Sequence, residues 1–417
     1  MYIRNGGELS MTISGQWHER LEQAIPWGSS TCSKAPSLLP EEPAVIVRGD
    51  GCRVWDADGN EYIDFRNGLG PITLGYRFPE VDEAIRRQLD NGIVFGQPHP
   101  LEAEVAELLG ELVPCAERVR FLKTGGEALA AAIRIARTYT GRDRIVQVGY
   151  NGWLNALAGG GPSLPGQRAT GSPKGVPAAV SGLHHAVGWN DIGSVERWFD
   201  DCGSEIAAVV VAADYAEMEK GASFYPALRE LTRKHGALLV YDEIVTGFRI
   251  AIGGVQHYFG VVPDMAVFSK GIANGMPLSA YMGSKEVMAA CDRGGAVISS
   301  TFGGETLSLA ASRATIRIYR EQDVVGHLWR QGEKLWGGLN ERLSAAGLPI
   351  RLKGYAPCPA FTLQEGADPA VRDRFFRAAY RNGVSLYNIS YVNYSHKDAD
   401  IAEALERLEQ ACRETAV

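Results

Sequence analysis

ALLVYDEIVTGF, Ala237 to Phe248, sets an unbroken apolar run against two adjacent acids. The run is too short for a helix and reads as a strand buried on both faces, the kind found in a parallel sheet. Asp242 closes it at its carboxyl end. Just upstream, YPALRELTRKHG (Tyr225–Gly236) has the apolar spacing of an amphipathic helix, with Gly236 as its stop. Before that, IAAVVVAA (Ile206–Ala213) is a second wholly apolar strand. Downstream, DMAVFSKGIANGMPLSA (Asp264–Ala280) gives a third short strand, then Lys270, then a glycine-bearing turn. Strand, helix and strand in this order predict right-handed crossovers and a mostly parallel α/β sheet.

Further out, VRFLKTGGEALAAAIRIARTYTG (Val119–Gly141) reads as a strand, a glycine turn and an alanine-rich helix. DRIVQVGY (Asp143–Tyr150) is another strand, and LEAEVAELLGELVP (Leu101–Pro114) a helix stopped by proline. RVWDADGNEYIDF (Arg53–Phe65) has the form of a hairpin turning at Asp58-Gly59. After about Glu305 the alternation gives way to a long helix, LSLAASRATIRIY, then α+β sequence and a closing helix, DADIAEALERLEQACRE. The expected organisation is a large domain over 71–305, with a smaller one drawn from 1–70 and 306–417.

The chain has 417 residues, of which 45% are hydrophobic and 22% charged, enough for a sizeable core in two domains. A net charge of −7 argues against nucleic acid or an anionic membrane as the main partner. No apolar run approaches a membrane span. The seven cysteines are scattered and form no CxxC pair, so neither a metal nor a disulfide frame is expected. The first twenty residues lack an apolar signal core, and a reduced cytoplasmic enzyme is expected.

In an open parallel sheet, ligands collect beyond the carboxyl ends of the strands. Four groups fall at such ends: Asp242, Lys270, the turn Thr124-Gly125-Gly126-Glu127, and Tyr150. Each has a bland reading too. Lys270 can be a strand-end surface charge, the turn a capping box, Asp242 a cap or salt bridge, and Tyr150 core. Taken together they suit one cofactor, pyridoxal 5′-phosphate. It calls for a lysine to form the Schiff base, a carboxylate at the ring nitrogen, an anion site at a helix N-terminus and an aromatic cover. No G-x-G-x-x-G opens the first helix, which argues against a nicotinamide oxidoreductase.

LLVYDEIVTGFR followed by VPDMAVFSKGIANGMPLSA resembles the signature region of class III aminotransferases, pyridoxal-phosphate enzymes of fold type I. FLKTGGEALAAAIRIARTYTGRDRIV, SSTFGGETLSLAA and VWDADGNEYIDF resemble the same family, and the likeness runs from about Pro26 to Lys397. It implies a large domain with a mostly parallel seven-stranded sheet and a smaller α+β domain built from both chain ends. It also implies Lys270 as the Schiff-base lysine, Asp242 at the pyridinium nitrogen, and Ile244 and Tyr150 on the two ring faces. Gly125 and Gly126 would hold the phosphate, and Thr301 would reach the cofactor of a neighbouring subunit in a homodimer. Within the family the chain resembles the glutamate-1-semialdehyde aminomutase-like branch, and FLKTGGEA, YTGRDRIVQVGYNGW and GLGPITLGY resemble that branch's aminotransferases acting on sugars, among them 6′-oxo aminoglycoside enzymes, more than the aminomutase itself.

Two departures stand out. The family's YHGWHD is YNGWLN here, with Asn151 and Asn155, and its Glu-Pro after the apolar strand is Ala212-Ala213. A catalytically silent binding homologue would share these losses, but the retained Lys270 and Asp242 argue against it. The expected function is therefore amino transfer between an amino acid and an oxo-sugar or aminoglycoside-like carbonyl in antibiotic biosynthesis. The alternative is an aminomutase or epimerase on the same scaffold. Asn151, Trp153, Trp27 and Tyr391 are the candidates for reading the substrate, and core packing is the competing role for the three aromatics.

Overall fold

The computed structural model describes residues 2–5, 8–154 and 173–416. They form two compact units: one of Gly70–Thr73 and Pro79–Gly326, the other of the residues up to Leu69, Leu74–Phe78 and those from His327 onward.

The larger unit is built on a seven-stranded sheet. Its strands are β1 (Arg118–Leu122), β2 (Arg144–Val148), β3 (His184–Val187), β4 (Ile206–Ala212), β5 (Leu238–Asp242), β6 (Met265–Phe268) and β7 (Ser279–Gly283). The spatial order is β1-β7-β6-β5-β4-β2-β3, with β7 antiparallel to both its neighbours and all other pairs parallel. All residues of β4, β5 and β6 are buried, which is why these strands read as continuous apolar runs.

The larger unit's main helices are α1 (Pro79–Leu89), α2 (Pro100–Leu112), α3 (Gly125–Thr140), α4 (Ile192–Cys202), α5 (Gly221–His235) and α6 (Thr306–Glu321), of which α2, α3, α5 and α6 follow the apolar spacing read above. The alanines of α3 let it lie close on the sheet. Ala128, Leu129, Ala132 and Ile135 share one buried cluster with Ala208, Val210, Val240 and Val267. Gly141 ends α3 in the left-handed conformation, φ 67°, where a side chain would be strained.

The boundary expected after residue 305 falls instead at Gly326. The reason lies in α6. It buries Leu309, Ala310, Ile316 and Ile318 and packs on α1 and α2, all within the larger unit. Helical periodicity gives the apolar face but not the partner that covers it.

The smaller unit draws on both chain ends. Strands Arg53–Asp56 and Glu61–Asp64 form the expected hairpin, flanked by Ile46–Asp50 on one side and by Val384–Ser385, parallel to Glu61–Asp64, on the other. The pair Ile350–Lys353 and Ala360–Leu363, with helices Ala370–Arg381 and Asp398–Ala416, completes the α+β character. Among the described residues, no helix is long and apolar enough to cross a membrane.

Candidate active site

Sheet register brings the four strand ends to one edge. Asp242 lies opposite Ala212 on β4 and Val267 on β6, and Val148 lies opposite Val211. Lys270 therefore follows β6, and Tyr150 follows β2, on the rim that Asp242 closes. The antiparallel β7 starts on this edge, pairing Ser279 with Leu122, so the turn after β1 joins the same rim.

Asp242 is only 9% exposed. The Ile244 N–H donates to its Oδ1 at 3.1 Å, and Asn151 Nδ2 points at its Oδ2 from 3.5 Å. Burial outweighs these donors and the charge of Lys270, and pushes the carboxyl up from 3.8 to about 6. A buried carboxylate so incompletely compensated calls for a further cation. The neighbouring acid has a different use. Glu243 accepts from the Thr246 hydroxyl and from the N–H groups of Val255 and Gln256, which pins the loop beyond β5.

Lys270 is half-buried and has φ 46°, a left-handed backbone rarely held by a side-chain-bearing residue. Tyr150 is exposed, with its phenol pKa raised by local burial and then by the charge of Asp242. It sits between Gly149 (φ 76°) and Gly152 (φ 105°). These two bends turn Tyr150 outward while Asn151, 3% exposed, faces inward to Asp242. The expectation for Asn151 was contact with substrate; its amide nitrogen is on the carboxylate, and its Oδ1 is buried without a hydrogen bond among the described residues.

The turn after β1 supports both of its readings at once. Thr124 Oγ1 accepts from the Glu127 N–H at 3.3 Å, and Glu127 Oε2 from the Thr124 N–H at 2.8 Å, a complete capping box. The N–H groups of Gly125 and Gly126 donate no hydrogen bond among the described residues, and stand ready for an anion at the positive end of α3. A Cβ on Gly125 would lie 2.3 Å from Ile244 Cδ1, so a side chain there would displace the end of Ile244. Ile244 and the turn are thus in direct contact.

These residues fit pyridoxal phosphate. The carboxylate that needs a cation, the free N–H pair, the lysine and two flanking side chains all belong to one edge. The remaining candidates are placed otherwise. Trp153 is 81% exposed, and Thr301 is exposed in the loop before α6. Trp27 and Tyr391 belong to the smaller unit. There Trp27 is exposed at φ 66°, and Tyr391 is buried, its N–H donating to Phe65 O and its carbonyl accepting from Asn67. Asn155 lies outside the described residues. Ala212 and Ala213 are both buried, and a Cβ on Gly149 would lie 3.4 Å from that of Ala212.

Residues 39–412 match the family model for aminotransferase class-III. A curated glutamate-1-semialdehyde 2,1-aminomutase of Acetivibrio thermocellus is 35% identical over 422 residues, covering 96% of this chain and 97% of that protein. Among solved structures, an omega-transaminase from Sphaerobacter thermophilus superposes with a TM-score of 0.88 at 28% identity, over 97% of this chain and 98% of that one. The FumI protein of Sphingopyxis sp. MTA144, solved with pyridoxal phosphate, gives 0.87 at 28% identity over 96% and 95%.

Proposed function

This chain belongs to the class-III aminotransferase family of pyridoxal-phosphate enzymes, and from that premise we propose that it is a glutamate-1-semialdehyde-type aminomutase, which returns the nitrogen to the molecule that supplied it. One observation carries the substrate reading: the likeness to the curated aminomutase, at 35% identity, covers 96% of this chain and 97% of that protein.

The cofactor supplies an aldehyde that exchanges amines and a protonated ring that draws electrons from the substrate carbon. The chain's own residues do the rest. Asp242 holds the proton at the ring nitrogen, which also satisfies its buried charge. The Lys270 amine would hold the cofactor's aldehyde and would move the proton at the reacting substrate carbon. Gly125 and Gly126 bind the phosphate through their N–H groups, and Ile244 and Tyr150 confine the ring. We also place the enzyme in a homodimer whose Thr301 reaches the neighbouring site. Ile93, Val94, Phe95 and Phe302 are exposed, and Ile93 O accepts from Thr306, which puts that segment beside the Thr301 loop. A cytoplasmic location agrees with seven unpaired cysteines.

A second reading has its own support. The rim beside Asp242 carries a neutral amide at Asn151 and methyl groups at Ala212 and Ala213. With its nitrogen on Asp242, Asn151 imposes no charge on that rim, which suits a neutral oxo-sugar as amine acceptor. One experiment separates the two. Glutamate-1-semialdehyde is supplied with no other amine donor, and an isomeric aminoketone of unchanged mass is expected. Inertness there, with amine transfer from an amino sugar to an α-keto acid, would replace the aminomutase reading by the sugar one.

A further inference from the structure

Lys123 stands one residue before the anion-binding turn, yet its side chain is only 16% exposed. Its Nζ donates to Glu305 Oε1 at 2.7 Å, to Pro277 O at 2.9 Å and to Ser308 Oγ at 3.3 Å. The Glu305 side chain is 9% exposed and is itself the N-cap of α6, accepting from the N–H groups of Leu307 and Ser308. Ser308 Oγ donates in turn to Pro277 O at 3.1 Å. Burial alone would raise the Glu305 carboxyl, and the hydrogen bonds from Lys123 and Ser308 hold it below 4.5 instead. One ammonium thus joins the strand end leading into Thr124–Gly126, the turn that follows Lys270, and the start of α6.

The location gives this tie a purpose. The phosphate anchor follows β1 and the amine anchor follows β6, but β7 lies between those strands in the sheet. Strands neighbouring in a sheet are about 4.8 Å apart, so the two anchors hang on backbones about 10 Å apart with no direct ladder between them. A cofactor with a rigid ring needs that separation held. Lys123 spans the gap at the strand ends, from the β1 side to Pro277 just before β7. A buried ion pair is a poor source of stability, because desolvation offsets its attraction. Three donors on one atom do, however, fix three acceptors at once.

We propose that Lys123, paired with Glu305, is a positioning residue that sets the spacing between the phosphate-binding turn and Lys270. This rests on the pyridoxal-phosphate reading above. Each anchor stays intact without the tie, but a ligand that must reach both is held less well.

The test uses apoprotein of the full chain with three probes: pyridoxal phosphate, pyridoxal and inorganic phosphate. Lys123→Met alone strands a buried carboxylate, so the double variant Lys123→Met with Glu305→Gln, whose amide oxygen still caps α6, is the informative one. Its unfolding midpoint is expected near that of the wild type. Its affinity for pyridoxal and for phosphate should be unchanged, while that for pyridoxal phosphate falls at least tenfold. Unchanged affinity for pyridoxal phosphate would overturn the tie, and so would an equal fall for all three probes, which would signal general damage. Wild-type protein unable to bind pyridoxal phosphate would overturn both this inference and the reading beneath it.

Discussion

Replacing Asp242 by asparagine should make the apoprotein more stable and the cofactor-bound protein less so. Asp242 ionises near 3.8 in an unfolded chain and at about 6 in the folded apoprotein, because burial disfavours its charge. Below pH 4 both forms are protonated and the group contributes nothing. As pH rises through 4 to 6 the unfolded chain releases a proton that the folded chain keeps, so stability falls. Above pH 6 the full deficit remains. At 1.36 kcal/mol per pKa unit it amounts to about 3 kcal/mol. The amide is isosteric, keeps an acceptor for the Ile244 N–H, and takes no charge. Asn151 can turn its amide to accept from the new NH2, since its Oδ1 has no hydrogen bond among the described residues. Urea unfolding of both apoproteins at pH 4 and pH 8 is the assay. Asp242→Asn should match the wild type at pH 4 and exceed it by about 3 kcal/mol at pH 8. Adding pyridoxal phosphate should reverse the order, since the ring cation compensates a carboxylate and not an amide. A variant no more stable at pH 8 than at pH 4, relative to wild type, would refute the electrostatic account of Asp242.

Lys270→Ala should bind cofactor but lose turnover by about 10²-fold or more, as expected when a general acid–base group is removed; borohydride should label the Lys270 peptide in the wild type and nothing in the variant. Gly125→Ala should fold yet bind pyridoxal phosphate about tenfold more weakly, because its Cβ displaces the Ile244 side chain, and adding Ile244→Val should restore part of the loss in a fluorescence titration. Asn151→Ala removes a hydrogen bond that favours the Asp242 carboxylate, so the apoprotein's fall in stability with pH should end above pH 6 rather than at it.

How much of this was legible from residue types alone depends on the range of the interaction. Buried parallel strands are continuous apolar runs, so β4, β5 and β6 stand out, and with them the rim groups Asp242 and Lys270. The α3 cap and its Gly141 stop are local, and they read correctly. Contacts between distant segments have no such period. Asn151 meets Asp242 only because two glycines invert the chain around Tyr150 and because β2 and β5 both flank β4. Lys123 lay inside a stretch whose glycine turn drew attention, but its partner Glu305 is brought near by the antiparallel β7 and the packing of α6. The assignment of α6 to the smaller domain failed for the same reason.

Lys270 holds its left-handed backbone at φ 46° in a place where glycine would rest without strain. For a residue with a side chain that conformation costs about 1 kcal/mol. An inactive form built as Lys270→Gly should therefore outlast Lys270→Ala on heating, and it is the better vehicle for capturing a substrate complex. The same conformation bears on how the gene can drift. Mutation toward glycine would be welcomed by the backbone and rejected only by the chemistry, so persistence of lysine at this position across generations would report on retained activity more directly than any buried apolar site could.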